Sequence, residues 1–362
     1  MTRSSVRLLA DDLTGALDTA AEFVGITGPL PVFWHSGIPA SVPGTAAIDS
    51  GTRERSAGDA AGIVTGLAPL IAGADIAYKK IDSLLRGPTI AELAACMRTG
   101  LWDHAVLCPA FPYQGRAMRG GCQYARDASG AWTAVTGDLV AALNAAGAVA
   151  YHARPGCALQ SGIGVFDAET DDDLRRVVAS GLAAGNVLWI GAGGLAQALS
   201  GNTVAGNTAP LPGPILGLFG TDHPVTASQL ACCDPHWVRL QAVDPMLITR
   251  RLHDPGLVLA SFDLPPNLSR SDATTCIRDG FASLLRELPP PGTLLAAGGE
   301  SLFAICEALG ATHLSVNNRI VPGLPRSILR GGRWDGVTVV SKSGAFGTPA
   351  LLRDLVVKRT IP

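Results

Sequence analysis

The chain has 362 residues, 47% of them hydrophobic and only 16% charged, which excludes a largely disordered chain and a coiled coil. A formal net charge of -2 excludes the broad basic face that nucleic-acid binding requires. No apolar run reaches the length of about 18 residues that a membrane span needs, and the chain length favours two domains.

The predicted elements alternate between strand and helix. Short apolar runs predict strands at 6–10, 46–48, 76–81, 105–108, 163–167, 187–190 and 215–219. Apolar residues spaced by three and four predict helices after the first and third strands, and a further helix is predicted from Asp171 to Ala184. This alternation favours an α/β fold of two domains, each a largely parallel sheet flanked by helices.

One segment is typical of a linker. Residues 201–214 are rich in Gly, Pro and Asn and have no hydrophobic periodicity. We therefore expect one domain at 1–200 and a second at 215–362, with a Pro-rich loop at 288–292 inside the second.

The cysteines and the first residues of the chain favour a reducing cytoplasm. Eight cysteines are present without a C-x-x-C pair, and the chain does not begin with a signal-peptide pattern. The seven histidines have no metal-ligand spacing, so we expect no metal site made by the protein alone. Neither a P-loop motif nor G-x-S-x-G is present. The sequence is compatible with a homo-oligomer.

Two adjacent carboxylates follow the first predicted strand. Asp11 and Asp12 lie where that strand leads into a helix, the usual position of a ligand crevice in an open α/β sheet. They are candidates to face a polar ligand, a cation or a hydroxyl that must lose its proton. In the alternative interpretation, one of them caps the helix and the other is solvated.

Basic residues follow the next strands and indicate an anionic small molecule. The segment after the third strand combines a cation, an anion, a hydroxyl and a guanidinium, and its candidate residues are Lys80, Asp82, Ser83, Leu84, Leu85 and Arg86. Arg53 and Arg116 lie in two neighbouring strand-end loops. A guanidinium binds a carboxylate or phosphate through two hydrogen bonds. Each arginine taken alone is more typical of a solvated surface.

Three turns in the second half indicate a nucleotide site. They lie after predicted strands, at 220–226, 298–301 and 341–347, and the last contains Lys342, one of only four lysines. Backbone N–H groups of such turns bind phosphate. The turn at 191–194 departs from the dinucleotide fingerprint at Ala196, so we interpret it as structural. An NAD-dependent dehydrogenase would have only that turn in its favour.

Five motifs in order carry a family resemblance. They are Ala-Asp-Asp-Leu-Thr-Gly-Ala at 10–16, Lys-Lys-Ile-Asp-Ser-x-x-Arg-Gly at 79–87, Pro-Ala-Phe-Pro-x-x-Gly-Arg at 109–116, Gly-Gly at 298–299, and Lys-Ser-Gly-x-Phe-Gly at 342–347. Over nearly its whole length the chain resembles the four-carbon acid sugar kinases. The resemblance implies phosphorylation of the terminal hydroxyl of threonate, erythronate or 3-oxo-tetronate by ATP with Mg²⁺.

The resemblance also implies roles for residues. Asp11 or Asp12 would orient or deprotonate the hydroxyl, and the sequence does not choose between them. Arg53 and the loop from Asp82 to Arg86 would contact the sugar acid. The residues implied for ATP, together with the rest of the turns that contain them, are Thr221, Gly298, Gly299, Glu300, Ser301, Lys342, Ser343 and Gly344.

Several departures from the family pattern leave a second function open. Leu84 stands where members usually have Thr, Glu300-Ser301 where they have Asp-Thr, and Thr221 where they have Ser. The chain is also shorter than typical members, with a compressed first domain. A catalytically silent protein of the same fold that binds the sugar acid or the nucleotide is therefore the alternative to a kinase.

Overall fold

Short β-forming runs and amphipathic helices alternate along the chain, as their sequence periodicity predicts. The computed structural model describes residues 4–39, 42–127, 129–204, 206, 209–220, 223–265 and 267–357. The chain divides into two units, Met1–Ala205 and Gly206–Pro362, and their boundary falls within the segment 201–214. No helix in the described ranges is both long enough and apolar enough to cross a membrane.

The first unit is built on a parallel sheet of eight strands. Its strands, including three that form a separate small sheet, are β1 (Val6–Ala10), β2 (Leu30–Trp34), β3 (Ala46–Asp49), β4 (Ile76–Lys80), β5 (His104–Cys108), β6 (Arg116–Arg119), β7 (Cys122–Arg126), β8 (Trp132–Ala134), β9 (Ala150–Ala153), β10 (Gly162–Phe166) and β11 (Val187–Gly191). The main sheet has the order β2-β3-β1-β4-β11-β5-β10-β9, and every pairing in it is parallel. Strands β6, β7 and β8 pair antiparallel.

Helices connect these strands and bury the sheet. They are α1 (Leu13–Thr27), α2 (Ala57–Ile71), α3 (Thr89–Arg98), α4 (Leu139–Ala145), α5 (Asp171–Leu182) and α6 (Gly193–Leu199). Strands β4 and β11 are buried at every residue, as expected for the centre of a parallel sheet. Because the chain crosses from β3 to β4 over β1, the ends of these three strands form the point where a ligand crevice is expected.

The second unit has a sheet of seven strands. These are β12 (Ile215–Phe219), β13 (Trp237–Leu240), β14 (Leu257–Phe262), β15 (Thr293–Ala297), β16 (His313–Arg319), β17 (Pro325–Arg330) and β18 (Thr338–Lys342). The order is β13-β14-β12-β15-β18-β17-β16; the first four pairings are parallel and the last two antiparallel. Its helices are α7 (Pro224–Ala231), α8 (Pro245–His253), α9 (Arg270–Glu287) and α10 (Gly299–Leu309).

The predicted fold class is confirmed, since both units are α/β with largely parallel sheets flanked by helices. The small sheet β6-β7-β8 and the antiparallel strands β16 and β17 were not predicted from the sequence. The turn at 191–194 has a packing role, because a Cβ on Gly193 or Gly194 would clash with Phe111. These two glycines let α6 approach the loop that follows β5.

Candidate functional site

Asp11 and Asp12 stand where β1 ends and α1 begins, and other residues hold both. Asp12 is the N-cap of α1: its Oδ1 accepts the Gly15 N–H at 2.9 Å, and its Oδ2 accepts the Thr14 hydroxyl at 2.6 Å. Asp11 is buried, and its two oxygens accept hydrogen bonds from Arg53 at 2.7 and 2.9 Å. One carboxylate therefore caps the helix while the other is paired with a guanidinium.

Arg53 is the centre of this carboxylate cluster. Its guanidinium also contacts Oδ2 of Asp12 at 2.6 Å and lies 3.5 Å from Oδ2 of Asp82. Burial opposes the charge of Arg53, but Asp11 and Asp12 outweigh burial and raise its pKa. Burial would also raise the pKa of Asp11, yet Arg53 and Lys80 hold it below the ordinary value. All three guanidinium nitrogens of Arg53 are thus engaged by carboxylates.

The loop after β4 folds around Asp82. Its Oδ1 accepts the Leu84 N–H at 2.7 Å, and its Oδ2 accepts two bonds from Arg86, at 2.5 and 3.1 Å. Burial would raise the pKa of Asp82, but Arg86 and Arg53 lower it to about 2. The Arg86 side chain remains 59% exposed. Asp82 therefore fixes Arg86 through Nε and Nη2, and Nη1 of Arg86 has no bond to Asp82.

The turn of the same loop contains the half-buried residues Ser83, Leu84 and Leu85. Leu85 has a φ of 54°, a conformation that costs energy for a side chain of this size. Gly87 has a φ of 86°, and a Cβ there would lie 2.8 Å from the Arg53 carbonyl oxygen. The loop is therefore packed closely against the backbone of Arg53.

The two lysines of β4 lie on opposite faces of the sheet. Lys79 is fully buried and its Nζ lies 2.6 Å from Oε2 of Glu92 on α3. Burial lowers the pKa of Lys79, but Glu92 and Asp11 raise it by more. The Lys80 ammonium donates to the Ile81 carbonyl at 2.8 Å and lies 2.8 Å from the position of a Cβ on Gly15. Lys80 is therefore the lysine that reaches the start of α1.

Arg116 is the first residue of β6, directly after the loop that follows β5. Its Nη1 donates to the carbonyls of Gln114 and Gly115, at 2.8 and 3.1 Å. Its Nε is buried without a hydrogen-bond partner among the described residues. Burial lowers the pKa of Arg116 and Asp82 opposes the effect, so the guanidinium lies within electrostatic reach of Asp82.

Two carboxyl groups that the sequence analysis did not single out also belong to this region. Asp49 ends β3 in register with Ala10, is buried, and accepts the Gly51 N–H on Oδ1 at 2.8 Å. Burial raises the pKa of Asp49 to about 7, and the negative charges of Asp12 and Asp11 act in the same direction. Asp18 of α1 has a buried Oδ1 without a described partner, and burial raises its pKa well above the ordinary value.

Gln123 of β7 is a third residue that the motifs did not indicate. Its side chain is fully buried, and its Nε2 donates to the Ser83 carbonyl at 2.8 Å and to the Pro109 carbonyl at 3.2 Å. One amide group thereby connects the loop of Arg86 to the loop of Arg116. A glutamine in a short strand has no sequence signature for such a role.

In the second unit, α10 begins directly after β15 with a glycine at its N-cap. This N-cap, Gly298, has a φ of 89°, and as a glycine it supplies no side chain to cap the helix. The N–H groups of the first turn, at Gly299, Glu300 and Ser301, are therefore suited to an anion. A Cβ on Gly220 would lie 2.6 Å from the Ser301 Oγ, which shows how closely the end of β12 approaches this turn.

Lys342 ends β18 and organises the adjacent loop. Its carbonyl accepts the Gly298 N–H at 2.9 Å, and its buried Nζ donates to Thr226 Oγ1 at 3.0 Å and to the Ser343 carbonyl at 2.9 Å. Thr226 donates in turn to the Gly344 carbonyl at 2.8 Å. The predicted residues Lys342, Ser343 and Gly344 therefore lie beside the start of α10.

The predicted residues thus form two groups, one in each unit. The first unit brings together Asp11, Asp12, Arg53, Asp82 and Arg86 by direct contact, with Lys80 and Arg116 nearby. The second brings the turn at 298–301 to Lys342. Thr221 lies outside the described residues. Within the described ranges, His, Cys, Asp and Glu form no group of three that could hold a metal ion.

Family models match both units. A model described as a sugar-binding N-terminal domain matches residues 6–151, and one described as a nucleotide-binding C-terminal domain matches residues 227–352. The first match contains the whole carboxylate and arginine group. The second contains the turn at 298–301 and the loop that follows β18.

Curated relatives match the chain from end to end. A D-threonate kinase of Cupriavidus necator is 31% identical and covers 95% of this chain and 95% of its own length. A D-threonate kinase of Bordetella bronchiseptica is 29% identical, with 96% and 95% covered. A D-erythronate kinase of Heliobacterium modesticaldum is 25% identical, with 95% and 94% covered.

Solved structures share the fold. One from Salmonella typhimurium LT2 superposes with a TM-score of 0.76 at 19% identity, covering 97% of this chain and 98% of that chain. One from Haemophilus influenzae gives a TM-score of 0.69 at 18% identity, covering 95% and 97%. At this identity the likeness concerns the fold alone.

Proposed function

The chain belongs to the four-carbon acid sugar kinase family, and from this premise we propose that it transfers the terminal phosphoryl group of ATP to the terminal hydroxyl of a four-carbon sugar acid. The candidate acids are threonate, erythronate and 3-oxo-tetronate. D-Threonate comes first because two relatives at 29% and 31% identity are named D-threonate kinases.

One observation carries the proposal: the segment matched as a sugar-binding domain contains a charged site at the carboxyl ends of β1, β3 and β4. A hydroxy acid has one carboxylate and several hydroxyl groups, so it needs cationic donors and carboxylate acceptors at one place. Arg53, Arg86 and Lys80 supply the cations, and Asp11, Asp12 and Asp82 supply the acceptors.

The arginines have different roles in this proposal. The three guanidinium nitrogens of Arg53 contact Asp11, Asp12 and Asp82, so Arg53 holds these carboxylates together. Arg86 is mostly exposed, and Arg116 has its buried Nε unused. We therefore assign the substrate carboxylate to Arg86 and Arg116, because a guanidinium with unused donors can form a paired hydrogen bond to it.

The second unit would hold the nucleotide. The N-terminus of α10, where Gly298 supplies no capping side chain, would offer backbone N–H groups and the positive end of the helix dipole to the phosphates. Because the described acidic residues form no cluster for a metal, Mg²⁺ would arrive bound to the triphosphate, where it neutralises phosphate charge. Lys342 supports this region by fixing the loop at Ser343 and Gly344.

In the reaction, the chain's residues position the acid and exclude water from its reacting hydroxyl. Asp12 and Asp11 are the sequence's candidates for the group that orients or deprotonates this hydroxyl. Both are already engaged by Arg53, which favours an orienting role in which their fixed charges hold Arg53 and the start of α1 in place.

Leu84 favours the second candidate, a catalytically silent binding protein. The residue is half-buried in the loop between Asp82 and Arg86, at a position where a hydroxyl would face the sugar acid in the family pattern. A leucine there removes one hydrogen-bonding group from the site. The silent protein would bind the nucleotide and the acid without transfer.

An ADP-release assay tests the kinase proposal. The full chain is given Mg-ATP and a panel of D- and L-threonate, D- and L-erythronate and 3-oxo-tetronates. We expect turnover on one acid, and a KM for that acid raised about 10- to 100-fold in Arg86→Ala, the cost of one charge-assisted hydrogen bond.

Arg175→Ala is the matched control for that variant. Arg175 is also an exposed arginine paired with an aspartate, but it lies on α5, between β10 and β11 in the chain, and not in the loop after β4. Its KM should equal that of the wild type. Nucleotide binding without ADP release on any acid would favour the silent protein instead.

A further inference from the structure

Every carboxylate oxygen of Asp11, Asp12 and Asp82 already accepts a hydrogen bond. Asp11 receives two hydrogen bonds from Arg53, and Asp82 receives one from Leu84 and two from Arg86. Asp12 accepts from Gly15, from Thr14 and from Arg53. An oxygen that already accepts hydrogen bonds has fewer lone pairs left for a further proton. The proton of the substrate hydroxyl therefore needs another acceptor.

Asp49 occupies the same edge of the sheet with a carboxyl group that is less engaged. It ends β3 next to the end of β1, and the Ser50 N–H donates to the Ala10 carbonyl at 2.9 Å. Within the described part of the chain, the Gly51 N–H on Oδ1 is the hydrogen bond that the Asp49 carboxyl receives. Its Oδ2 is left for a ligand.

The register of the sheet places Asp49 on the same face as Lys80, the face covered by α1. Ala10 pairs with Asp49 on one side and with Lys80 on the other, so the three side chains lie on one face of the sheet. Lys80 on that face reaches Gly15 in the first turn of α1. Asp49 thus lies on the α1 side of the sheet, across β1 from Lys80 and within electrostatic reach of Asp12.

We propose that Asp49 is the general base, taking the proton of the sugar acid's reacting hydroxyl on Oδ2; this inference rests on the kinase function proposed above. The hydroxyl oxygen forms a bond to the terminal phosphorus of ATP. The bond from that phosphorus to the β–γ bridging oxygen breaks, and ADP leaves with the electron pair. The proton passes to Asp49, which later releases it to water.

The charges around Asp49 suit a base that works near neutrality. The charged groups that act on Asp49 are Asp12, Asp11 and Arg53, while Lys80 shares its face of the sheet and Asp18 belongs to α1. The Nδ1 of His35 lies 2.9 Å from a Cβ position on Gly51. Burial and the nearby carboxylates raise the pKa of Asp49 to about 7. General bases are most effective when their pKa is close to the working pH.

Asp49→Asn in the full chain tests this assignment. Asparagine keeps an oxygen for the Gly51 N–H, so the turn after β3 is preserved while the proton acceptor is lost. We expect kcat on the acid that the wild type phosphorylates to fall about 100-fold or more, with KM for that acid largely unchanged. The wild-type kcat should rise with pH through the neutral range, and this rise should vanish in the variant.

Two further aspartate variants serve as controls for Asp49→Asn. Asp127→Asn is the matched control, because Asp127 accepts the Ser129 N–H at 2.8 Å in a similar turn on the exposed surface; its kcat should equal the wild-type value. Asp18→Asn tests the other carboxyl with a raised pKa and should keep the neutral pH dependence.

Three outcomes have distinct meanings. Full activity in Asp49→Asn, or loss of the pH dependence in Asp18→Asn instead, overturns the assignment of the base while leaving the kinase function intact. Loss of kcat and of the pH dependence in Asp49→Asn alone supports it. A wild-type chain that phosphorylates no acid of the panel refutes the kinase function, and this inference with it.

Discussion

In each unit the candidate site lies at the carboxyl ends of strands, but the groups that form it differ. In the first unit, charged side chains meet at the ends of β1, β3 and β4, and each of the central carboxylates is held by a guanidinium. In the second, the ends of β15 and β18 are joined through glycine and backbone groups. Under the proposed function, the first site would discriminate between substrates by placed charges, and the second would bind phosphate through backbone N–H groups.

The buried lysines of the two units also differ in the kind of partner that they bind. Lys79 in the first unit is paired with the carboxylate of Glu92. Lys342 in the second donates to the Thr226 hydroxyl and to two loop carbonyls. The first lysine therefore balances a charge, while the second shapes a loop.

Removal of Arg53 should have the largest effect. Arg53→Ala leaves Asp11 and Asp12 without their guanidinium, so we expect a loss of about 5 kcal/mol in the free energy of unfolding. Denaturant unfolding measures it. The control Arg86→Ala removes an exposed arginine and should cost less than about 1 kcal/mol. Equal losses in the two variants would contradict the assignment of Arg53 as the centre of the site.

Disruption of the ion pair between Lys79 and Glu92 should have the second-largest effect on stability. Lys79→Met leaves the buried carboxylate of Glu92 without its cation and should lower the free energy of unfolding by about 3 kcal/mol. Adding Glu92→Leu removes the stranded charge and should restore most of that loss. If the double variant is no more stable than the single one, the pair is not a balanced buried charge.

A methyl group at Gly298 should have a moderate effect. Gly298→Ala places a side chain at a φ of 89°, which should cost about 1–3 kcal/mol of stability and weaken ATP binding while the affinity for the sugar acid is kept. Thermal melts and calorimetric titration measure the two quantities. The control Gly66→Ala lies in α2 with open space around it and should be neutral or slightly stabilising. Unchanged ATP affinity in Gly298→Ala would remove the turn from the site.

The pH dependence of stability should show the smallest effect, with opposite signs for two aspartates. The folded chain binds the Asp49 proton more tightly than the unfolded chain does, so this group lowers stability as pH rises from about 4 to about 7. Asp49→Asn should therefore gain stability relative to the wild type above pH 7.

Asp82 should behave in the opposite way. Its pKa is lowered in the folded state to about 2, so its contribution is present above about pH 4 and is lost as pH falls toward 2. Asp82→Asn should then be less stable than the wild type at neutral pH. Parallel pH curves for wild type and both variants would show that neither pKa is shifted.

The fold class could be predicted from the sequence because strand periodicity is a local property. Asp11, Arg53 and Arg86 could be chosen from their positions after predicted strands. The segment at 30–34 was missed as a strand, since it is short, contains a proline and lacks strict alternation. The antiparallel strands at 313–330 were missed because they do not follow the strand and helix alternation.

Other features depend on register and packing, which one sequence does not contain. That all three nitrogens of Arg53 are engaged follows from how β1, β3 and β4 are aligned. Asp49 closes a strand next to β1, but its burial and its Gly51 partner become visible only in the folded chain. Gln123 acts across two loops that are separated from it in sequence.

The most direct test of the central claim is phosphorus NMR of the reaction mixture of full chain, Mg-ATP and D-threonate or the best acid of the panel. Transfer to the terminal hydroxyl predicts a new phosphomonoester resonance, split into a triplet by the two protons of a terminal methylene, together with ADP. Inorganic phosphate and ADP without that resonance, or unchanged ATP with every acid, would contradict the account.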